Sequence, residues 1–212
     1  MKTAVQNNLS YPRIFPTSKN TALSSEVSLV IGLVGPIASG KGTISEFLKS
    51  KGFKYFSLSD VVRAETFARG LEITRENLQD IGNDLRENFS GSVLVDRIVD
   101  EIKKHDFVVI DGVRNPQEIS AIKNDLGGKI VHISAYKSRR LERYLKRAKV
   151  RGEDDATISK FKQVEARDLG VGEGENGQQV SECLSLADFK LVNNLSLDQF
   201  YLDCEKMLSE YS

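Results

Sequence analysis

The chain has 212 residues, 40% of them hydrophobic and 28% charged, which is the size and mix of one globular domain with a real core. Its 30 Lys and Arg balance its 30 Asp and Glu, so the surface as a whole advertises neither nucleic acid nor an anionic membrane as partner, and no apolar run approaches the roughly 18 residues of a membrane span. Two cysteines, Cys183 and Cys204, make neither a metal-binding nor a disulfide spacing, and a reduced, cytoplasmic setting is expected.

Residues 1–26 are rich in Ser, Thr and Asn, carry Pro12 and Pro16, and hold no acid before Glu26. Without an apolar stretch they do not make a secretory signal, and the expectation is a flexible tail ahead of one domain over 27–212. Lys2, Arg13 and Lys19 among hydroxyl residues only faintly resemble an organelle transit peptide. Val27 to Val34 is a continuous apolar run of strand length, as buried parallel strands are. A helix follows over about Lys41–Lys51, then a short strand over Phe53–Ser57. Asp60 is expected to cap a helix that Gly70 stops. Thr74 caps the next, with Leu78, Ile81, Leu85 and Phe89 as its stripe, and Ser92 begins another that runs to Ile102. Phe107–Ile110 is the third strand, and Pro116 starts a helix at its favoured first position. Lys129–Ala135 is the fourth strand, followed by a basic helix over Lys137–Lys149 and another near Thr157–Asp168. A glycine-rich stretch, GVGEGENG, spans Gly170–Gly177. Phe189–Val192 is the fifth strand, and Ser196 with Gln199 makes a capping box for the last helix.

Five strands alternating with helices predict a parallel five-stranded sheet in a three-layer α/β/α sandwich, with ligands at the carboxyl ends of its strands. The chemistry is expected there. Directly after the first strand stands Gly35-Pro36-Ile37-Ala38-Ser39-Gly40-Lys41-Gly42-Thr43. A glycine-framed loop between a buried strand and a helix gathers backbone N–H groups and the positive helix end around a phosphate. Gly35 and Gly40 admit the phosphate oxygens, and Lys41 reaches the β- and γ-phosphates. The usual pattern places Ser or Thr directly after the Lys to hold magnesium; here Gly42 intervenes and Thr43 comes second.

That spelling resembles the phosphate loop of adenylate kinase and related nucleoside monophosphate kinases. The resemblance implies ATP and Mg2+ as cofactors, with Gly35, Ala38, Ser39, Gly40, Lys41, Gly42 and Thr43 around the nucleotide and Thr43 near the metal. Loose phosphoryl-transfer transition states need positioning and cationic clamps. Arginines are therefore expected at the strand ends. Asp60 and Arg63, one turn into a helix after the second strand, are similar to the acceptor-binding segment of adenylate kinases. Asp111-Gly112-Val113-Arg114 resembles the Asp-Gly-Phe-Pro-Arg of those enzymes, and more closely the Asp-Val-Arg of phage-type deoxynucleoside monophosphate kinases. An Asp ending a buried strand is costly unless it meets a cation or donor. The resemblance gives Asp111 to the magnesium shell and Arg114 to the acceptor phosphate.

Arg139, Arg143 and Arg147 recur at i, i+4 and i+8, which brings like charges onto one helix face. By resemblance Arg143 and Arg147 meet the adenine and its phosphates. Arg151, Asp154, Asp155 and Arg167 resemble a short mobile lid over about 147–168 that excludes water. Thr74 to Gly82 with Arg86 resembles the acceptor-side helix of phage-type kinases, within an acceptor region over about 60–104. Gln79 would read the base. The end of the last strand, with Asn193, borders the adenine in these kinases and in dephospho-CoA kinase. The expected activity is ATP-dependent phosphorylation of a nucleoside or deoxynucleoside monophosphate. Dephospho-CoA kinase, with Asp60 as base, and a regulatory module that binds without turnover are the alternatives. The expected partner is a small nucleotide acceptor, with no nucleic acid or membrane, in a monomer or homodimer.

Overall fold

A computed structural model describes residues 27–151 and 157–211, without the Arg151 side chain. The expected tail and the lid residues Asp154 and Asp155 lie outside the described residues. Five strands, β1 (Leu29–Val34), β2 (Lys54–Ser57), β3 (Phe107–Asp111), β4 (Lys129–Ser134) and β5 (Phe189–Val192), form one sheet in the order β2-β3-β1-β4-β5. Every neighbouring pair is parallel. The central strand is β1, whose Gly32 faces Ile110 on one side and Ile130 on the other.

Strand periodicity splits the core in two. Val30 and Val34 of β1 point to one face with Val108, Ile110 and Ile130, and Ile31 and Leu33 point to the other with Val109, Val131 and Ile133. The second face is covered by α1 (Lys41–Ser50) and α10 (Leu197–Ser209) through Ile44, Leu48, Phe200, Cys204 and Met207. The first is covered by α2 (Leu58–Ala68), α3 (Arg75–Asn88), the four-residue α4 (Val93–Asp96) and α5 (Val99–Ile102), α6 (Pro116–Leu126) and α9 (Val180–Ser185). Buried Cys183 and Cys204 are free thiols in α9 and α10. The remaining helices, α7 (Lys137–Arg151) and α8 (Ile158–Asp168), pack over the glycine loop, and the lid expected over about 147–168 falls on the end of α7 and on α8. Tyr144, Phe161 and Val164 of this pair enclose Ile37 of the glycine loop in a third, separate core.

Several local expectations are corrected. Asp60 does not cap α2. Strand β2 runs straight into the helix, Ser57 holds the cap position without a side-chain bond, and Asp60 sits in the first turn with its carboxylate on Arg63 Nη1 at 2.5 Å. The helix expected over Ser92–Ile102 is broken, because N–H groups of Val95, Ile98 and Glu101 bond back three residues rather than four. Phe89 leaves the stripe of α3 and is 67% exposed, with Arg97 stacked over its ring. Ser196 caps α10, but Gln199 turns its amide to Asp203, so the box is only half made. Thr74 caps α3 through the Asn77 N–H as expected. A complete capping box stands instead at α6, where Asn115 and Glu118 bond reciprocally ahead of Pro116.

Candidate active site

The glycine loop joins β1 to α1 as expected, and its backbone is tightly constrained. A Cβ on Gly35 would lie 2.3 Å from the Ile133 carbonyl oxygen, and one on Gly40, at φ +115°, would lie 2.0 Å from Asn193 Nδ2. Ala38 adopts a left-handed φ of 60°, a conformation that costs a side chain about 1 kcal/mol or more and is held only by its surroundings. Lys41 folds its ammonium over the loop, donating to the Gly35 carbonyl at 2.6 Å and the Pro36 carbonyl at 3.3 Å. Burial lowers its pKa; Asp168 and Asp111 oppose that shift, and Arg114 and Arg147 add to it. Ser39 is fully buried, and its hydroxyl has no partner among the described residues.

Arg143 and Asn193, expected against the nucleotide, make their described contacts with the loop itself. Asn193 Nδ2 donates to the Ser39 carbonyl at 3.0 Å, and Arg143 donates to the Asn193 carbonyl and side-chain oxygens and to the Ser39 carbonyl. A buried carbonyl needs donors, and these two supply them to Ser39. They are braces of the loop.

The α7–α8 pair is fastened to the same loop. Asp168, at the end of α8, accepts from the Ile37 N–H at 3.0 Å and pairs with Arg114. Arg140 reaches the Ile37 carbonyl at 3.4 Å and Glu165 at 2.5 Å, and Lys137 also pairs with Glu165. Burial raises the Glu165 pKa, but the hydrogen bonds and charges of Lys137 and Arg140 outweigh it and hold the carboxyl below its usual range.

Beside this clasp, at the carboxyl end of β3, a cavity of about 150 Å³ opens toward α2 and α3. Leu58, Val62, Leu78 and Leu94 form its apolar wall, and Arg63, Arg75, Gln79, Arg86, Arg114 and Gln178 its polar one. Expected acceptor residues Arg63, Gln79 and Arg114 thus border one space. Asp60 is 64% exposed in its side chain and bound to Arg63. Gly82 lines the cavity too, with room at its position: an added Cβ would meet only Arg86 and Val62 at 3.5 Å or more. Arg114 donates to Gln178 Oε1 at 2.8 Å, and its backbone N–H is held by Glu118 Oε2 at 2.8 Å. The other Glu118 oxygen takes Arg86 at 2.8 Å, a pair that is almost fully buried.

Arg167 does not join them. Its guanidinium is taken by Glu173 at 2.6 Å and Asp80 at 2.9 Å, because the glycine-rich turn after α8 brings Glu173 back over it. Arg147 lies in electrostatic reach of Lys41 and Arg75. The Arg151 side chain lies outside the described residues. Asp111 ends β3 with one oxygen on the Gly112 N–H at 2.7 Å and the other on the Tyr55 hydroxyl at 3.3 Å. Burial and then the Asp111 charge push the Tyr55 pKa up to about 12.

Among the described residues no three His, Cys, Asp or Glu cluster as a ready metal site. Asp111 and the Thr43 hydroxyl are hard oxygen donors, which suits a magnesium ion carried largely by phosphate oxygens and water. Four residues of the site were not singled out from sequence. Arg75 lies in the segment that resembles an acceptor-side helix but carries no role there; its signal is the i, i+4 spacing to Gln79. Gln178 stood in a polar run without a role. Asp168 appeared only as the end of the lid. Glu118 carries the legible cue of Asn115-Pro116-Gln117-Glu118, a capping box.

The comparisons with known proteins bear on the family and the fold. Residues 34–162 match the family model described as AAA domain. A UPF0200 protein of Hyperthermus butylicus is 33% identical over 88% of this chain and 97% of its own length. Another, from Pyrococcus horikoshii, is 31% identical over 86% and 97%. Shikimate kinase of Aquifex aeolicus shares the fold at a TM-score of 0.51 and 17% identity, over 86% of this chain and 97% of that one. Among the described residues no helix is long and apolar enough to cross a membrane. With a glycine phosphate loop at the central strand of a five-stranded parallel sheet, a P-loop kinase-like fold, this chain belongs to the UPF0200 family.

Proposed function

We propose that the chain is an ATP- and magnesium-dependent kinase that phosphorylates a nucleoside or deoxynucleoside monophosphate. The observation that carries this reading is that Arg114 belongs to two places at once. It borders the arginine-lined cavity and acts electrostatically on Lys41 of the phosphate loop. A group held in the cavity therefore shares a cation with a group held by the loop, as in-line transfer between two phosphates requires. Magnesium would be held by Asp111 and Thr43, and when bound it would offset charge on the donor phosphates. Lys41, drawn out of water, binds phosphate oxygens with little competition from solvent. The docked α7–α8 pair covers the loop and keeps water from the donor. Asp60, exposed and paired with Arg63, is poorly placed as the base that a hydroxyl acceptor would need. This favours a phosphate acceptor over dephospho-CoA.

ADP release with ATP and magnesium, measured over a panel of ribo- and deoxyribonucleoside monophosphates, tests the reading. Turnover above the ATP-only rate with at least one acceptor is expected. ATP binding without turnover on any of them would make the chain a nucleotide-binding module instead.

A further inference from the structure

Four guanidiniums border the cavity, those of Arg63, Arg75, Arg86 and Arg114, and no carboxylate does. Three have acidic partners outside its wall. Arg86 is paired with Glu118, Arg63 with Asp60, and Arg114 with Asp168. Arg75 forms no ion pair among the described residues, and its Nε is buried without a hydrogen-bond partner. One turn further along α3, Gln79 is nine-tenths buried, and its Nε2 is likewise buried and unpartnered. Unsatisfied buried donors are rare in native proteins and cost about 1–3 kcal/mol each. Two of them, at i and i+4 on one helix face and beside one cavity, await an acceptor-rich ligand.

The charge around Arg75 narrows the ligand's class. Burial lowers its pKa, and Arg114 lowers it further, with Asp168 the main opposing charge. With no carboxylate in the wall and no ion pair on Arg75 among the described residues, positive charge is in excess at this end of the cavity. A carboxylate brings one charge and two oxygens. A phosphate monoester brings nearly two charges near neutral pH and three acceptor oxygens, enough to meet Arg75 and Arg114 together. We infer that Arg75 is the specificity-determining guanidinium of the acceptor cradle, and that it selects a dianionic phosphate monoester whose attached group reaches Gln79. This rests on the nucleotide-kinase reading above.

The test uses the full chain saturated with magnesium and a non-hydrolysable ATP analogue, so that the phosphate loop is filled. Nucleoside 5′-monophosphates and the matching nucleosides are then titrated calorimetrically into the wild type, Arg75→Gln and Arg75→Lys, each checked for an unchanged circular dichroism spectrum. The expected result is that one monophosphate binds the wild type at least tenfold more tightly than its nucleoside. Arg75→Gln removes that advantage without altering nucleoside affinity more than twofold, and Arg75→Lys restores part of it. Equal binding of the monophosphate by Arg75→Gln and wild type overturns the assignment of Arg75 alone. A wild type that binds none of the monophosphates overturns the nucleotide-kinase reading and this inference with it.

Discussion

Lys41 shows how one side chain is prepared for a ligand. Its ammonium is satisfied by two loop carbonyls, so the buried charge is tolerable without a partner ion. Those carbonyls belong to Gly35 and Pro36, at the start of the loop. Replacing Lys41 with Ala removes a charge that few structural contacts depend on. The Lys41→Ala variant is expected to lose turnover by about a hundredfold or more, the scale of one charge-stabilising donor. Its thermal midpoint should stay within a few degrees of wild type. ADP release and a thermal melt check both halves, and a near-normal rate would remove Lys41 from the site. Gly40 behaves oppositely. Any side chain there strikes Asn193, so a substitution would disturb loop shape before chemistry.

At the scale of elements, α7 and α8 are a helix pair fastened to the phosphate loop by polar contacts and a small apolar core. Glu165 is the charge that two cations of α7 share. Its folded pKa lies below the roughly 4.3 of an unfolded glutamate, so its contribution is complete above about pH 5 and fades as pH falls through the folded value. Glu165→Gln should therefore cost about 2 kcal/mol near pH 7, the scale of charge-assisted hydrogen bonds. The difference from wild type should shrink steadily in denaturant melts taken from pH 6 down to pH 3. A constant difference across that range would mean that the carboxylate is not the anchor. Helices α7 and α8 are legible in sequence, as are all five strands and the phosphate loop, because each rests on local periodicity or a contiguous motif. What α7 and α8 touch is not. Arg143 is expected against the nucleotide by resemblance, and nothing in its sequence neighbourhood announces the contacts it makes with the Ser39 carbonyl and the oxygens of Asn193. Arg167 is answered by Glu173 and Asp80. Glu173 is only six residues from Arg167, but Asp80 is 87 away and the partners of Arg143 are 50 or more, so the tertiary fold decides these contacts and no local pattern encodes them. Arg63 and Arg114 come together because they follow neighbouring strands, β2 and β3, an adjacency that sequential order alone leaves open.

Over the whole molecule, the phosphate loop and the cavity are built on one sheet but belong to different layers. The phosphate loop leads into α1 on one face, and the cavity lies among α2, α3 and α4 on the other. Arg114 and Asp168 join the two, with Asp168 bound to the loop at Ile37. A ligand on the loop therefore stiffens a junction that both layers and the α7–α8 pair share, and its effect should appear in global unfolding. At a free concentration of a hundred times its dissociation constant, ATP with magnesium should stabilise the fold by about 2.7 kcal/mol. For a chain of this size that is about 5–10 °C in thermal midpoint. Lys41→Ala should lose most of the shift at the same ligand concentration, because its affinity falls while its fold does not. Asp168→Asn gives the contrasting result. It lowers the ligand-free midpoint, since a buried pair is broken, but leaves a ligand-induced rise, since the loop and Lys41 remain. Melts of the three proteins with and without ATP and magnesium decide this. An equal rise in Lys41→Ala and wild type would show that the nucleotide stabilises the chain from somewhere other than the loop.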